Sequence, residues 1–140
     1  PPSTSYTYRV RATTAARYSS STSEVSVTTP QADSYASADI GNPLPAGSTN
    51  VIASGSDYDV TAGGVDVWGT ADQFRYVYRQ VTGDFDFAVR ITNITAADPG
   101  SMAGLMARES LAANSRHAYM RARAGSSMRF NWRATTGGSS

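Results

Sequence analysis

Alternation of apolar and polar residues is the pattern that most limits what this chain can become. At the start, Tyr6, Tyr8, Val10 and Ala12 fall on one side and Thr7, Arg9, Arg11 and Thr13 on the other. Further on, Phe74, Tyr76 and Tyr78 alternate with Arg75, Val77 and Arg79. Segment 84–94 is the clearest run, with Phe85, Phe87, Val89 and Ile91 set against Asp86, Ala88, Arg90 and Thr92. A period of two is the strand period. A slip of one residue would carry the arginines into a core, so the register is firmly specified. Helical signal is confined to 109–114, where Ser110-Leu111-Ala112-Ala113 predicts a single turn. The fold class that follows is all-β.

The remaining elements are short. Segments 51–53 and 58–60 read as strands flanking Gly55, after a loop at 41–50 that contains Pro43, Pro45 and Gly47. Turns are expected at 82–84 and 98–100. Segment 102–108 is nearly all apolar and predicts a strand covered on both faces. Segments 117–124 and 128–133 predict a hairpin around Gly125-Ser126, with Met128, Phe130 and Trp132 sharing an inward face. The expected core is Phe74, Tyr76, Phe85, Phe87, Val89, Ile91, Leu105, Met106, Met120 and Phe130.

Two stretches resemble known modules. Residues 67–74, Val-Trp-Gly-Thr-Ala-Asp-Gln-Phe, and 104–110, Gly-Leu-Met-Ala-Arg-Glu-Ser, are similar to the concanavalin A-like (laminin G-like) β-sandwich of secreted, multi-modular bacterial proteins, many of which act on polysaccharides. Ser115-Arg116-His117-Ala118 fits the same pattern. Residues 2–12 and 24–30 resemble the last two strands of a fibronectin type III domain, with Tyr6 at the tyrosine-corner position. The resemblance implies a boundary near residue 31: 1–31 as C-terminal fibronectin type III-like strands, 32–140 as a concanavalin A-like jelly roll. Both modules are shorter than their families, which implies a slice of a longer polypeptide. It also implies a secreted or cell-surface setting and an accessory, non-catalytic role in carbohydrate binding or spacing.

Composition narrows the chemistry. With 140 residues and 40% hydrophobic content, the chain can bury one core. Cysteine is absent, which excludes disulfides, thiol catalysis and thiolate metal sites. All 12 basic residues are arginine and the formal net charge is +1, so no global field draws nucleic acid or an anionic membrane. No apolar run approaches the ~18 residues of a membrane span.

Each chemically suggestive residue has a structural alternative. The single histidine, His117, lies near Ser110 and Ser115, but no nucleophile elbow surrounds either serine, and a strand-end histidine bonded to a neighbour is expected. Asp84 and Asp86 at i and i+2 would stand roughly 7 Å apart on a strand, within reach of glycosidase spacing, yet a solvated outer face gives the same pattern. Asp57, Asp59 and Asp66 around Gly63-Gly64 are weak candidates for a structural calcium; solvated turn residues are the alternative. No other cofactor is expected. Asp72 is expected to fix its loop to backbone amides.

Arg9/Arg11, Arg75/Arg79, Arg121/Arg123 and Arg129/Arg133 each share a strand face, and are expected to point outward. A ligand face, if built, would draw on Trp68, Asp72, Arg108, Glu109 and Tyr119, with a polysaccharide or cell-surface glycan as partner. A second reading, of another class, is a structural protein that completes its open sheet edges with a neighbouring subunit and so forms a filament. A glycoside hydrolase would need two facing carboxylates in a cleft.

Overall fold

The computed structural model describes residues 4–28, 35–53, 56–125 and 128–140. All regular structure among them is antiparallel β. Strands β1 (Ser5–Tyr8) and β2 (Val25–Thr28) pair with Tyr6 opposite Val27. Strand β3 (Ala36–Ile40) pairs with β8 (Phe74–Tyr78), and β4 (Ser48–Ala53) with β5 (Asp57–Thr61). Between these lie two short strands, β6 (Val67–Trp68) and β7 (Ala71–Asp72). The largest sheet has the order β11-β10-β9 and is formed by β9 (Met102–Arg108), β10 (His117–Arg123) and β11 (Arg129–Arg133). Small antiparallel sheets meeting through their side chains are consistent with a β-sandwich.

The turn between β6 and β7 is dictated locally. Two residues, Gly69 and Thr70, connect the strands, and Gly69 has φ 65°. A two-residue hairpin loop with glycine at the first central position and positive φ there has the form of a type II′ turn. This turn carries Asp72 toward the large sheet. A second glycine acts by lacking a side chain. A Cβ on Gly104 would overlap the Met120 carbonyl and crowd the ring of Tyr119. The bare backbone leaves room for the buried ring of Tyr119 against β9.

The faces of the large sheet are the reverse of those expected. Along β10, His117, Tyr119 and Arg121 are buried, whereas Ala118 and Met120 are exposed. Arg133 on β11 is 1% exposed, while Phe130 and Trp132 are 53% and 59% exposed. Thus the expected outward pointing of Arg121 and Arg133 is wrong, and so is the inward pointing of Met128, Phe130 and Trp132. Alternation identifies two faces but does not say which is covered. Here the polar face is covered, with Asp72 of the β6–β7 hairpin supplying the counter-charge to Arg133 and Arg121 bonded to Asn131.

The rest of the expected core is corrected in the same way. Ile40, Val67 and Tyr119 are the buried hydrophobic residues among those described. Phe85, Val89, Leu105, Met120 and Phe130 are exposed, and Phe74, Tyr76, Phe87, Ile91 and Met106 are half-buried. Strand β9 is therefore open on one face rather than covered on both. Segment 84–94 joins no ladder, because a strand pattern becomes a strand only beside a partner. The turn expected at 109–114 is not helical. It is a loop closed by the Ser115 amide donating to the Ala112 carbonyl, with Arg108 donating to the Ser110 and Ala112 carbonyls. The short strands at 51–53 and 58–60 are present within β4 and β5, and the hairpin at 117–133 within β10 and β11. Gly55 and Ser126 lie outside the described residues, as does the expected boundary near residue 31.

Candidate functional site

The ladder register sets Arg108, His117 and Arg133 in one row across β9, β10 and β11. Two guanidinium groups flanking an imidazole, all buried, need an anion. Asp72 supplies it from the β6–β7 hairpin. Its carboxylate is fully buried and accepts two bonds from Arg133, Nη2 to Oδ1 at 2.6 Å and Nη1 to Oδ2 at 2.9 Å. This is the bidentate fork that arginine alone provides. Arg108 Nη1 stands 3.4 Å from Oδ2, and His117 Nδ1 stands 3.6 Å from the same oxygen.

Both arginines then spend their remaining protons on backbone carbonyls. Arg133 donates Nε to Gly138, Nη2 to Gly69, and Nη1 to Ser115. Arg108 donates Nε to Ser110 at 2.7 Å and Nη2 to Ala112 at 2.6 Å, with its guanidinium 5.2 Å from the Phe74 ring centroid. The Asp72 amide closes the circuit by donating to the Ala113 carbonyl. The knot thus ties together the β6–β7 turn, the β9–β10 loop and the residues after β11.

Its electrostatics follow from burial. Desolvation pulls Arg108 downward from the usual arginine range, and the Asp72 charge opposes it. Desolvation also holds the His117 pKa below its ordinary value, helped by the two arginines and opposed by Asp72. His117 Nε2 is buried with no hydrogen-bond partner. Burial raises Tyr119 to about 12, so its phenol is neutral at physiological pH.

Of the residues expected to face a ligand, the structure brings Asp72 and Arg108 together and places Tyr119 in the core. Trp68 is 57% exposed, at the β6–β7 turn. Glu109 is exposed and paired with Arg116, at 3.0 Å. Asp72 does fix its loop, although its side chain meets guanidiniums rather than backbone amides. Ser115 is buried with Oγ accepting from the Ser110 amide and donating to the Arg116 carbonyl, so it has no free nucleophile. Sequence reasoning treated His117 as a strand-end histidine and Arg133 as an outward residue, and joined neither to Asp72. Arg108 and Arg133 end the two strands that flank β10, each opposite His117, a register that appears only once the strands are paired.

The other candidates stay apart. Asp57 and Asp59 are exposed on β5, while the Asp66 carboxylate takes the Val67 amide at 2.7 Å. Among the described residues no group of three His, Cys, Asp or Glu side chains could hold a metal ion. Asp84 and Asp86 lie on the exposed, unladdered segment. Tyr6 pairs with Val27 and stacks beside Tyr8 at 6.4 Å; part of the chain upstream of it lies outside the described residues.

The opposite face of the sheet is chemically different. Leu105, Met120, Phe130 and Trp132 are exposed there, and the Phe130 and Trp132 rings stack at 5.9 Å with 23° between planes. Together with Tyr78, Phe85 and Phe87, most of these residues line an open groove of about 860 Å³. No family model, curated protein or solved structure matches the chain.

Proposed function

We propose that this chain is a non-catalytic accessory module of an extracellular bacterial protein, of the concanavalin A-like jelly-roll kind behind fibronectin type III-like strands, and that it binds or spaces carbohydrate. The observation that carries this reading is the inversion of the large sheet. Arg108, His117 and Arg133 are enclosed around Asp72 on one face, while Leu105, Met120, Phe130 and Trp132 on the other are exposed to solvent. What such a surface offers a ligand is flat apolar contact rather than acid–base chemistry. Stacked rings suit the apolar face of a pyranose, and Phe130 and Trp132 are the residues assigned to it. The test is affinity electrophoresis through soluble neutral and acidic polysaccharides. Retardation that Trp132→Ala abolishes supports the reading; unretarded migration in every polysaccharide ends it.

A second reading has its own support. Leu105 and Met120 interrupt the aromatic surface with aliphatic groups better suited to packing than to stacking on sugars. The outer edges of β9 and β11 pair with no strand among those described. Tyr6, Tyr8, Val25 and Val27 on β1 and β2 are exposed as well. Subunits that complete one another's sheets, and so build a structural assembly, would cover these surfaces. Sedimentation across a concentration series separates the readings, since a carbohydrate module has no need to self-associate.

A further inference from the structure

Segment 84–94 has the strongest strand pattern in the sequence and no ladder. Its backbone makes no hydrogen bond to another described residue. It is largely exposed, and Phe85 and Phe87 line the groove beside Leu105, Met120 and Phe130. Asp84, Asp86 and Arg90 have no ion-pair partner among the described residues. A segment with unused backbone groups, an apolar side and unpaired charges lacks one thing, an antiparallel neighbour.

The sequence specifies that neighbour. Place a second copy of 84–92 antiparallel to the first, with Ala88 opposite Ala88. Asp86 then faces Arg90, Phe87 faces Val89, Phe85 faces Ile91 and Asp84 faces Thr92. A two-fold axis through Ala88 repeats each pair, so two Asp86–Arg90 contacts form on the outer side and four apolar pairs on the groove side. Directly opposed opposite charges and aromatic–β-branched pairs are the favourable cross-strand combinations. The alternative register, Phe87 on Phe87, joins Asp84 to Arg90 but sets Ile91 against Gly83 and Asp86 against Ala88. The first register keeps every apolar residue paired with an apolar one.

We propose that two copies of this chain associate through 84–92, pairing as antiparallel strands about a two-fold axis at Ala88. The interface is isologous and closes as a dimer. Each copy's Phe85, Phe87, Val89 and Ile91 lie over the other's groove margin. This inference rests on the assembly reading and names its contact.

The experiment uses the full chain. Sedimentation equilibrium is expected to show a dimer. Asp86→Arg and Arg90→Asp, both exposed, are each expected to weaken it roughly tenfold or more, equivalent to about 1.4 kcal/mol. The double exchange is expected to restore it. The chain has no cysteine, so a single introduced thiol reports position. Ala88→Cys is expected to form a disulfide-linked dimer on mild oxidation, because directly opposed residues lie within disulfide reach. Thr92→Cys is expected not to, since its own mate would be roughly 26 Å away at about 3.3 Å per residue. A monomer at every concentration overturns both this proposal and the assembly reading. A dimer that ignores the charge exchanges and leaves Ala88→Cys unlinked overturns the proposal while assembly stands. Restoration by Asp84→Arg with Arg90→Asp, in place of the Asp86 exchange, also overturns it.

Discussion

At the scale of single residues, the Asp72 knot separates two kinds of ion pair. Glu109–Arg116 is exposed and replaceable, worth about 0.2–1 kcal/mol. Asp72–Arg133 is enclosed, and removing either partner strands a charge. Asp72→Ala or Arg133→Ala is therefore expected to lower unfolding stability by about 3–5 kcal/mol, whereas Glu109→Ala should shift a urea midpoint only slightly. Arg133→Lys should behave like the alanine variant, since a single ammonium cannot make the fork to both carboxylate oxygens or reach three loops. A midpoint near wild type for Arg133→Lys would contradict this. His117 gives the knot a pH dependence with a definite sign. Its folded pKa is depressed, so the unfolded chain takes up a proton first as pH falls. Stability is thus full above the ordinary histidine pKa of about 6.5 and declines below it, toward the lower folded value. In urea titrations over that window, His117→Gln should flatten the slope; an unchanged slope would place the titrating group elsewhere.

At the scale of elements, Gly104 shows how one missing side chain sets a sheet. Gly104→Ala is expected to cost about 1–3 kcal/mol by driving the Tyr119 ring and the Met120 carbonyl off β9, with loss of near-ultraviolet tyrosine ellipticity as the marker. Unaltered ellipticity and stability would mean the ring has room to move. The elements themselves were largely legible in the sequence. Strands β4, β5, β8, β9, β10 and β11 stand where alternation and glycine-marked turns put them. Their facing was not. Arg121 and Arg133 looked like solvent residues because the charge that neutralises Arg133 sits 61 positions away, on another hairpin. Local pattern cannot register a counter-ion that only tertiary packing delivers. Segment 84–94 failed for the complementary reason: local preference was strong, but no strand among the described residues pairs with it.

At the scale of the whole molecule, order is distributed unevenly. β1 and β2 form a two-stranded ribbon exposed along its full length, and such ribbons are marginal alone. β10 is paired on both sides and backed by the knot. Amide hydrogen exchange is expected to be fast across 5–8 and 25–28 and slowest in β10. Equal protection in both would show that the ribbon is buttressed. The site was half legible at this scale: Asp72 and Arg108 were singled out, yet as ligand contacts on a surface, because nothing in the sequence reveals that their row closes on itself.

The Asp72 carboxylate also has a place in time. Its main partner lies on β11, later in sequence than the other described strands, and Gly138, which Arg133 also holds, lies later still. During synthesis the β6–β7 hairpin, β9 and β10 emerge while that carboxylate still lacks its fork. Closing so long a loop comes late because its entropy is spent before any contact rewards it. The β6–β7 hairpin thus gains its fork only once a strand 61 residues later is in place.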